Sequence, residues 1–337
     1  INPTTFANAE DHLVVQTSNS SYTALAAGWD VAGDVTIENG GTLDPGPGEI
    51  HVGGNTVIEN AGTLNFSGTG TYDSDGDFTV ETGGVIDFDA AGIFELADIE
   101  PILIGLPSDA GTVVYDLGGD QAIYDINYFN LTVSGASGTK TAGTDLDIDG
   151  NLTLSGGCTF DPGTTDGHNV AGDWLENGTA IFQPTDGTFI LSGNGTNITT
   201  IAGSKFFDLT IGANTKTAQS DLDINGDLTV TGILAMDENN ADVASGKIVD
   251  IDGTLSLATG SIFTANGLTD VAGILSIGGT GTYNADGQFT ATGNVTFTGA
   301  GNLVCSNTAD NTFGTLTDNL GTVTFDATGG SQNLPNE

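Results

Sequence analysis

The chain of 337 residues carries 44 acidic side chains against four lysines and no arginine, a formal net charge of −40. That balance excludes a nucleic-acid binder on electrostatic grounds and makes contact with an anionic membrane unfavourable. No apolar run is long enough to span a bilayer, and an Ile rather than a Met at position 1 points to a processed chain or one cut from a longer product.

From Gly33 to Phe88 one pattern occurs three times: GDVTIENGGTL from Gly33, GNTVIENAGTLNF from Gly54 and GDFTVETGGVIDF from Gly76, with starts 21 and 22 residues apart. A period of that size is about one coil of a β-solenoid. Alternation at period two puts Val35, Ile37 and Leu43 on one face and Thr36 and Glu38 on the other. Gly40-Gly41 and Gly83-Gly84 suit corners that need positive φ. A single unit cannot bury its apolar side alone, so the units must stack. Ile93–Gly105 interrupts the pattern: it is more apolar, poor in turn residues and contains Pro101. It reads as a short helix or covering loop, so the expected organisation is N-terminal coils over 1–92, an apolar insertion over 93–110, and a continuous C-terminal solenoid over 111–337.

The motif returns at Gly150, Gly172, Gly226, Gly253, Gly273, Gly293 and Gly321, the last four intervals being 27, 20, 20 and 28 residues. A longer period overlies it, because Thr139–Gly156 matches Thr215–Gly232 at an offset of 76. The fold class is therefore all-β, a parallel β-helix of about 16 coils with repeats of roughly 20–22 residues and uncapped ends. At about 4.8 Å per stacked strand it would be ~75 Å long. Such internal repetition suits a scaffold better than an enzyme, which needs one unique site. A charge this high on an ordered rod implies acidic outer faces and self-repulsion that salt or divalent cations relieve.

Asp73-Ser-Asp75-Gly-Asp77 is turn-like and is the best local candidate for calcium. Asp145, Asp147 and Asp149 resemble the start of an EF-hand loop, but Leu146 and Ile148 between them read as core-facing strand and position twelve is Gly156. Asp221 and Asp223 repeat that arrangement. Solvated outward aspartates are the plainer reading of all these positions. His12, His51 and His168 are scattered and form no metal-ligand spacing. Paired aspartates could serve a neutral-glycan hydrolase, but in so acidic a chain pairs are inevitable, and no nucleophile or phosphate-loop motif accompanies them. No enzymatic activity and no cofactor other than calcium is expected.

Trp29 and Trp174 fit core or corner packing better than carbohydrate stacking. Lys140 and Lys216 occupy equivalent repeat positions and are expected to be solvated or to neutralise an aspartate on a neighbouring coil. Cys158 and Cys305 are 147 residues apart, ~34 Å along a straight solenoid, beyond disulfide reach. They read as buried small residues, with a bridge between subunits as the alternative. Glycosylation sequons include Asn130, Asn151, Asn177, Asn194 and Asn294.

The closing GTVTFDATGG from Gly321 matches the opening of the blocks at Gly111 and Gly187, while Phe6 and Leu13-Val14-Val15 loosely supply the continuation those blocks have. The expectation is that a C-terminal coil (Val323, Phe325, Leu334) stacks on the N-terminal coil (Phe6, Leu13, Val14, Val15) of another copy, giving an open head-to-tail polymer.

The motifs G-[ND]-[LV]-T-[LVI] and G-T-[VF]-x-[FYL], threaded with Gly, Asn and Thr along nearly the whole chain, resemble those of repetitive bacterial and archaeal surface β-solenoids in the style of filamentous haemagglutinin and autotransporter passengers. The resemblance implies an exported structural or adhesive protein at the cell surface. A secretion domain and a translocator barrel, usual in those families, are not seen in this sequence. The leading expectation is a non-enzymatic extracellular protein that self-assembles into a filament, sheath or surface layer. The alternatives are an adhesin stalk or tandem segment of a longer surface protein and, more remotely, a β-helix glycan-active enzyme.

Overall fold

The computed structural model describes residues 12–16, 21–24, 28–103, 110–164, 167–308, 310–317 and 320–326. Among these residues the chain forms 42 short strands and no helix. It divides into two compact units, Ile1–Gly163 with Asn177–Ile181, and Thr164–Glu176 with Phe182–Glu337. The division falls near Gly163.

In the first unit each turn of chain contributes one strand to each of three parallel sheets. One turn runs Val35–Ile37, Thr42–Asp44, Glu49–Val52; the next runs Thr56–Ile58, Thr63–Phe66, Thr71–Ser74; a third runs Phe78–Val80, Val85–Phe88, Ile93–Leu96. Equivalent strands pair in register, so Ile37, Ile58 and Val80 superpose, as do Leu43, Leu64 and Ile86, and Ile50, Tyr72 and Phe94. All nine side chains are at most 1% exposed. Each contributes about 1.5–3 kcal/mol on burial, and none could be buried without the turn above or below. Phe66 and Phe88 stack with ring centroids 4.4 Å apart.

The corner between the first two strands of each turn is Gly40, Ala61 and Gly83, with φ of 76°, 61° and 93°. The corner stacks too: Gly40 N–H donates to Ala61 O and Ala61 N–H donates to Gly83 O. The following glycine is required for space. At Gly62 a Cβ would be driven into the Ile37 carbonyl oxygen of the previous turn.

The expected insertion begins later than its composition implied. Ile93–Leu96 is a regular strand, paired with Thr71–Ser74 on one side and Thr112–Tyr115 on the other. Its alternation puts Phe94 and Leu96 in the core, and its apolar character is that of a buried strand, not of a helix. Ile102 makes a single parallel bridge with Thr79. Residues 104–109 lie outside the described residues.

The second unit repeats the design at a spacing near 20 residues. Leu228–Val230, Ile233–Ala235 and Ala241–Val243 form one turn, followed by Ile248–Ile251, Thr254–Leu257 and Ile262–Ala265 and then by Leu268–Val271, Ile274–Ile277 and Thr282–Ala285. Leu255, Leu275 and Val295 superpose, as do Phe263, Tyr283 and Leu303. Trp174, Phe182, Phe189 and Phe206 pack together in its core, with Trp174 fully buried. Its indole N–H donates to Glu176 at 2.9 Å. Over both units the fold is a parallel β-solenoid of about 15 turns, roughly 20 residues apart.

Two lysines lie where none was expected. Lys140 and Lys216 are 0% and 1% exposed and point into the interior. The Lys140 ammonium donates to the carbonyls of Leu117 and Gly119, and that of Lys216 donates to the Gly172 carbonyl and to Thr196 Oγ1. They are internal struts that satisfy carbonyls of other coils, not solvated side chains, and each also acts on a nearby carboxylate, Lys140 on Asp116 and Lys216 on Asp173. The other two lysines are engaged at the surface: Lys205 pairs with Asp223 at 2.8 Å, and Lys247 lies over the Phe207 ring. Cys158 and Cys305 are free thiols, both 0% exposed.

Candidate functional site

Because the strands are in register, outward residues stack as well as inward ones. Asp30, His51, Asp73 and Glu95 occupy matching positions on four successive strands of one sheet in the first unit. Neighbouring strands are about 4.8 Å apart, so these side chains form one ionisable column. Glu49 flanks it on the strand that carries His51, and Asp75 lies just past the end of the strand that carries Asp73.

His51 is the column's cation. Its Nδ1 lies 3.1 Å from Asp30 Oδ1 and its Nε2 lies 3.0 Å from Asp75 Oδ2. Partial burial lowers its pKa, but the bonds to Asp30 and Asp75 and the charges of Asp73 and Asp75 outweigh it, and the imidazole is held above its ordinary value. Beyond His51 relief runs out. Asp73 is pushed up to about 6, first by desolvation and then by Asp75, Asp116 and Glu49, against the opposing pull of His51. Glu95 is pushed up to about 7 by desolvation and by Asp73, Asp116 and Glu49. Asp116 is raised by desolvation and Asp75, with Lys140 opposing, and its Oδ1 is buried without a hydrogen-bond partner. The column is a place where carboxylates are crowded enough to retain protons or to attract a cation.

Among the described residues, His51, Asp73 and Asp75 form the group whose potential ligand atoms all lie within 4.8 Å of one another. Of the expected Asp73–Asp75–Asp77 set, the fold brings the first two together. Asp77 is exposed beyond Gly76 at the start of the next strand. One imidazole and two carboxylates suit a borderline first-row ion better than calcium, which prefers six to eight oxygens. His51, missed as a partner in the sequence, stands one repeat before Asp73, and the 22-residue period would have paired them. Asp145, Asp147 and Asp149 are exposed and alternate with buried Leu146 and Ile148. Asp221 caps the Asn240 amide at 2.7 Å, while Asp223 is taken by Lys205. Neither of these sets forms a ligand group of this kind.

The first described strand, Leu13–Val15, pairs with Val35–Ile37, with Val14 47% exposed and Val15 buried. Thr322–Phe325 pairs with Asn302–Cys305. Val323 and Phe325 stand over Leu303 and Cys305, which are fully buried, yet are themselves part-exposed. Phe6 and Leu334 fall outside the described residues. Of the sequons, Asn177, Asn194 and Asn294 are exposed. Asn130 is already spent on the ladder, its amide donating to Gly111 O and accepting from Asn151 N–H, and Asn151 is half-buried.

Comparison with protein-family models, with curated proteins and with solved structures gives no match.

Proposed function

We propose that this protein is a non-enzymatic structural element of the cell exterior that assembles with further copies of itself, end coil on end coil, into a filament, sheath or surface layer. The observation that carries the reading is the state of the last described strand. Val323 and Phe325 hold interior positions in register with Leu303 and Cys305, yet they stay part-exposed where their neighbours are dry. One more turn over them would bury that apolar surface and pair, in one step, the strand edge that no other described strand pairs. Val14 offers an exposed apolar side chain on the first described strand. Such a contact joins two different surfaces, so it propagates. The resemblance to surface solenoids and the acidic exterior support an extracellular setting, with calcium or another divalent ion relieving repulsion at Asp73 and Asp75.

A tandem segment of an adhesin stalk is the second reading. There the same end faces would be covered by further coils of one chain. Negative-stain microscopy of the purified chain separates the two. Polymers that disappear on Phe325→Asp support assembly between copies; isolated particles at high concentration refute it.

A further inference from the structure

His51 stands with a carboxylate against each ring nitrogen. Its Nδ1 lies 3.1 Å from Asp30 Oδ1, one turn before it, and its Nε2 lies 3.0 Å from Asp75 Oδ2, one turn after it. Asp73 is in register with His51 on the strand that Asp75 follows, so Nε2 is the nitrogen turned towards both. One ligand atom from each of His51, Asp73 and Asp75 lies within 4.8 Å of the other two.

A neutral imidazole carries one N–H, so it satisfies one of these carboxylates and not both. With that proton on Nδ1 and donated to Asp30, Nε2 turns a lone pair towards Asp75 at 3.0 Å. Lone pair and carboxylate oxygen repel at that distance unless a cation lies between them. A second ring proton is one such cation and brings a single positive charge. A divalent ion brings two, against three carboxylates, with Glu49 on the same strand as His51 and Glu95 one turn beyond Asp73 adding to the field. A carboxylate on one ring nitrogen with a metal on the other is the usual way in which a ligating histidine is oriented. The acidic pairs Asp223–Asp242 and Asp250–Asp270 stack carboxylates without an imidazole.

We propose that His51, Asp73 and Asp75 bind one divalent ion of the zinc class, with Asp30 as the residue that positions the imidazole, and that the ion clips two successive turns of the solenoid together. The inference rests on the reading of Asp73 and Asp75 as the place where a divalent ion relieves repulsion, and it is independent of assembly between copies. One imidazole nitrogen and two carboxylate oxygens are the donor set of a borderline ion, with water completing its coordination, whereas calcium takes six to eight oxygens. The strand Glu49–Val52 supplies one ligand, and Thr71–Ser74 with the residue after it supplies the other two. The set exists only while the two turns are stacked, so binding adds to the stability of the folded chain.

The test is isothermal titration of the full chain with Zn²⁺ at physiological salt, where diffuse counterion attraction to the acidic exterior is screened. One site per chain is expected, with Ca²⁺ bound roughly tenfold or more weakly. Asp30→Asn keeps all three ligands and should weaken Zn²⁺ about 10–100-fold, the usual effect of losing an orienting partner. His51→Gln, at a half-exposed position, should weaken it further still. Asp242→Asn, in the other unit, should leave it unchanged. Zn²⁺ should raise the chemical-unfolding midpoint of the parent and not that of His51→Gln. Phe325→Asp should bind Zn²⁺ as the parent does, so that loss of polymers and loss of the metal are read separately. Binding at many equivalent sites, an equal loss with Asp242→Asn, Ca²⁺ bound as tightly as Zn²⁺, affinity retained in His51→Gln, or a parent midpoint indifferent to Zn²⁺ would each overturn the site; parent affinity in Asp30→Asn would strike Asp30 from it.

Discussion

Lys216 places an ammonium inside a β-solenoid, and its protonation should be measurable as stability. Burial drives its pKa down to about 8 from an ordinary 10.5, with Asp173 opposing. Below pH 8 the folded chain holds a charged, desolvated amine; the unfolded chain holds the same proton in water up to about pH 10.5. Between those values the unfolded state binds more protons, so stability rises with pH. Linkage from these two pKa values gives a gain on the order of 2–3 kcal/mol between pH 7 and pH 10. Lys216→Met keeps the chain length of the strut and removes the titration, although it orphans the Gly172 carbonyl and Thr196 hydroxyl. Other groups titrate over the same range, including Cys305, which burial pushes up to about 12. The informative quantity is therefore the difference between parent and variant in denaturant unfolding at pH 7, 8, 9 and 10. The parent should gain on the variant steadily over that range. A difference that stays constant with pH would show that the amine titrates as if in water, and would refute the buried-strut reading.

Two further outcomes follow from the stacked geometry. Gly62→Ala should cost about 1–3 kcal/mol in chemical unfolding, because its Cβ meets the Ile37 carbonyl and also lies 3.1 Å from Glu59 O; an unchanged midpoint would mean the corner has slack. Glu95, raised to about 7 in the folded chain from an ordinary 4.5, binds its proton more readily folded than unfolded, so its contribution is present below pH 4.5 and is lost as pH rises through 7. In metal-free buffer Glu95→Gln should therefore melt above the parent at pH 8, with the gap narrowing towards pH 5. A gap that widens on acidification would invert the sign and reject the crowded column.

The solenoid was legible in the sequence because one period serves twice. The 21–22-residue repeat names the coil, and alternation at two names its inside, as Ile37, Ile58 and Val80 bear out. The buried lysines were misplaced because charge was weighed above parity. In Thr139-Lys-Thr-Ala142 and Thr215-Lys-Thr-Ala218 each lysine shares its face with an alanine that proves to be buried. Parity alone would have turned both inward. Ile93–Leu96 was misread for the opposite reason, since apolar density was weighed above alternation.

In-register stacking has a cost that alternation does not reveal. What superposes the core also superposes the charges, and Asp73 over Glu95, Asp223 beside Asp242 and Asp250 beside Asp270 are its products. Two exposed unit charges 4.8 Å apart repel by about 0.9 kcal/mol even in water. The chain offsets part of this locally, with His51 between Asp30 and Asp75 and Lys205 on Asp223, and elsewhere raises carboxylate pKa values. Stacking one copy on another would bring two acidic exteriors together while burying Val323 and Phe325. The apolar gain acts at contact, whereas the repulsion extends over a Debye length, about 30 Å in 0.01 M salt and 8 Å in 0.15 M. Assembly should therefore be governed by ionic strength through its encounter rate, with elongation slow at low salt and faster as salt or a divalent ion screens the faces. Filament length measured against salt at constant protein concentration reads this directly. Polymers that shorten as salt rises would mean that charge attraction holds the joint, a result incompatible with an apolar contact at Val323 and Phe325.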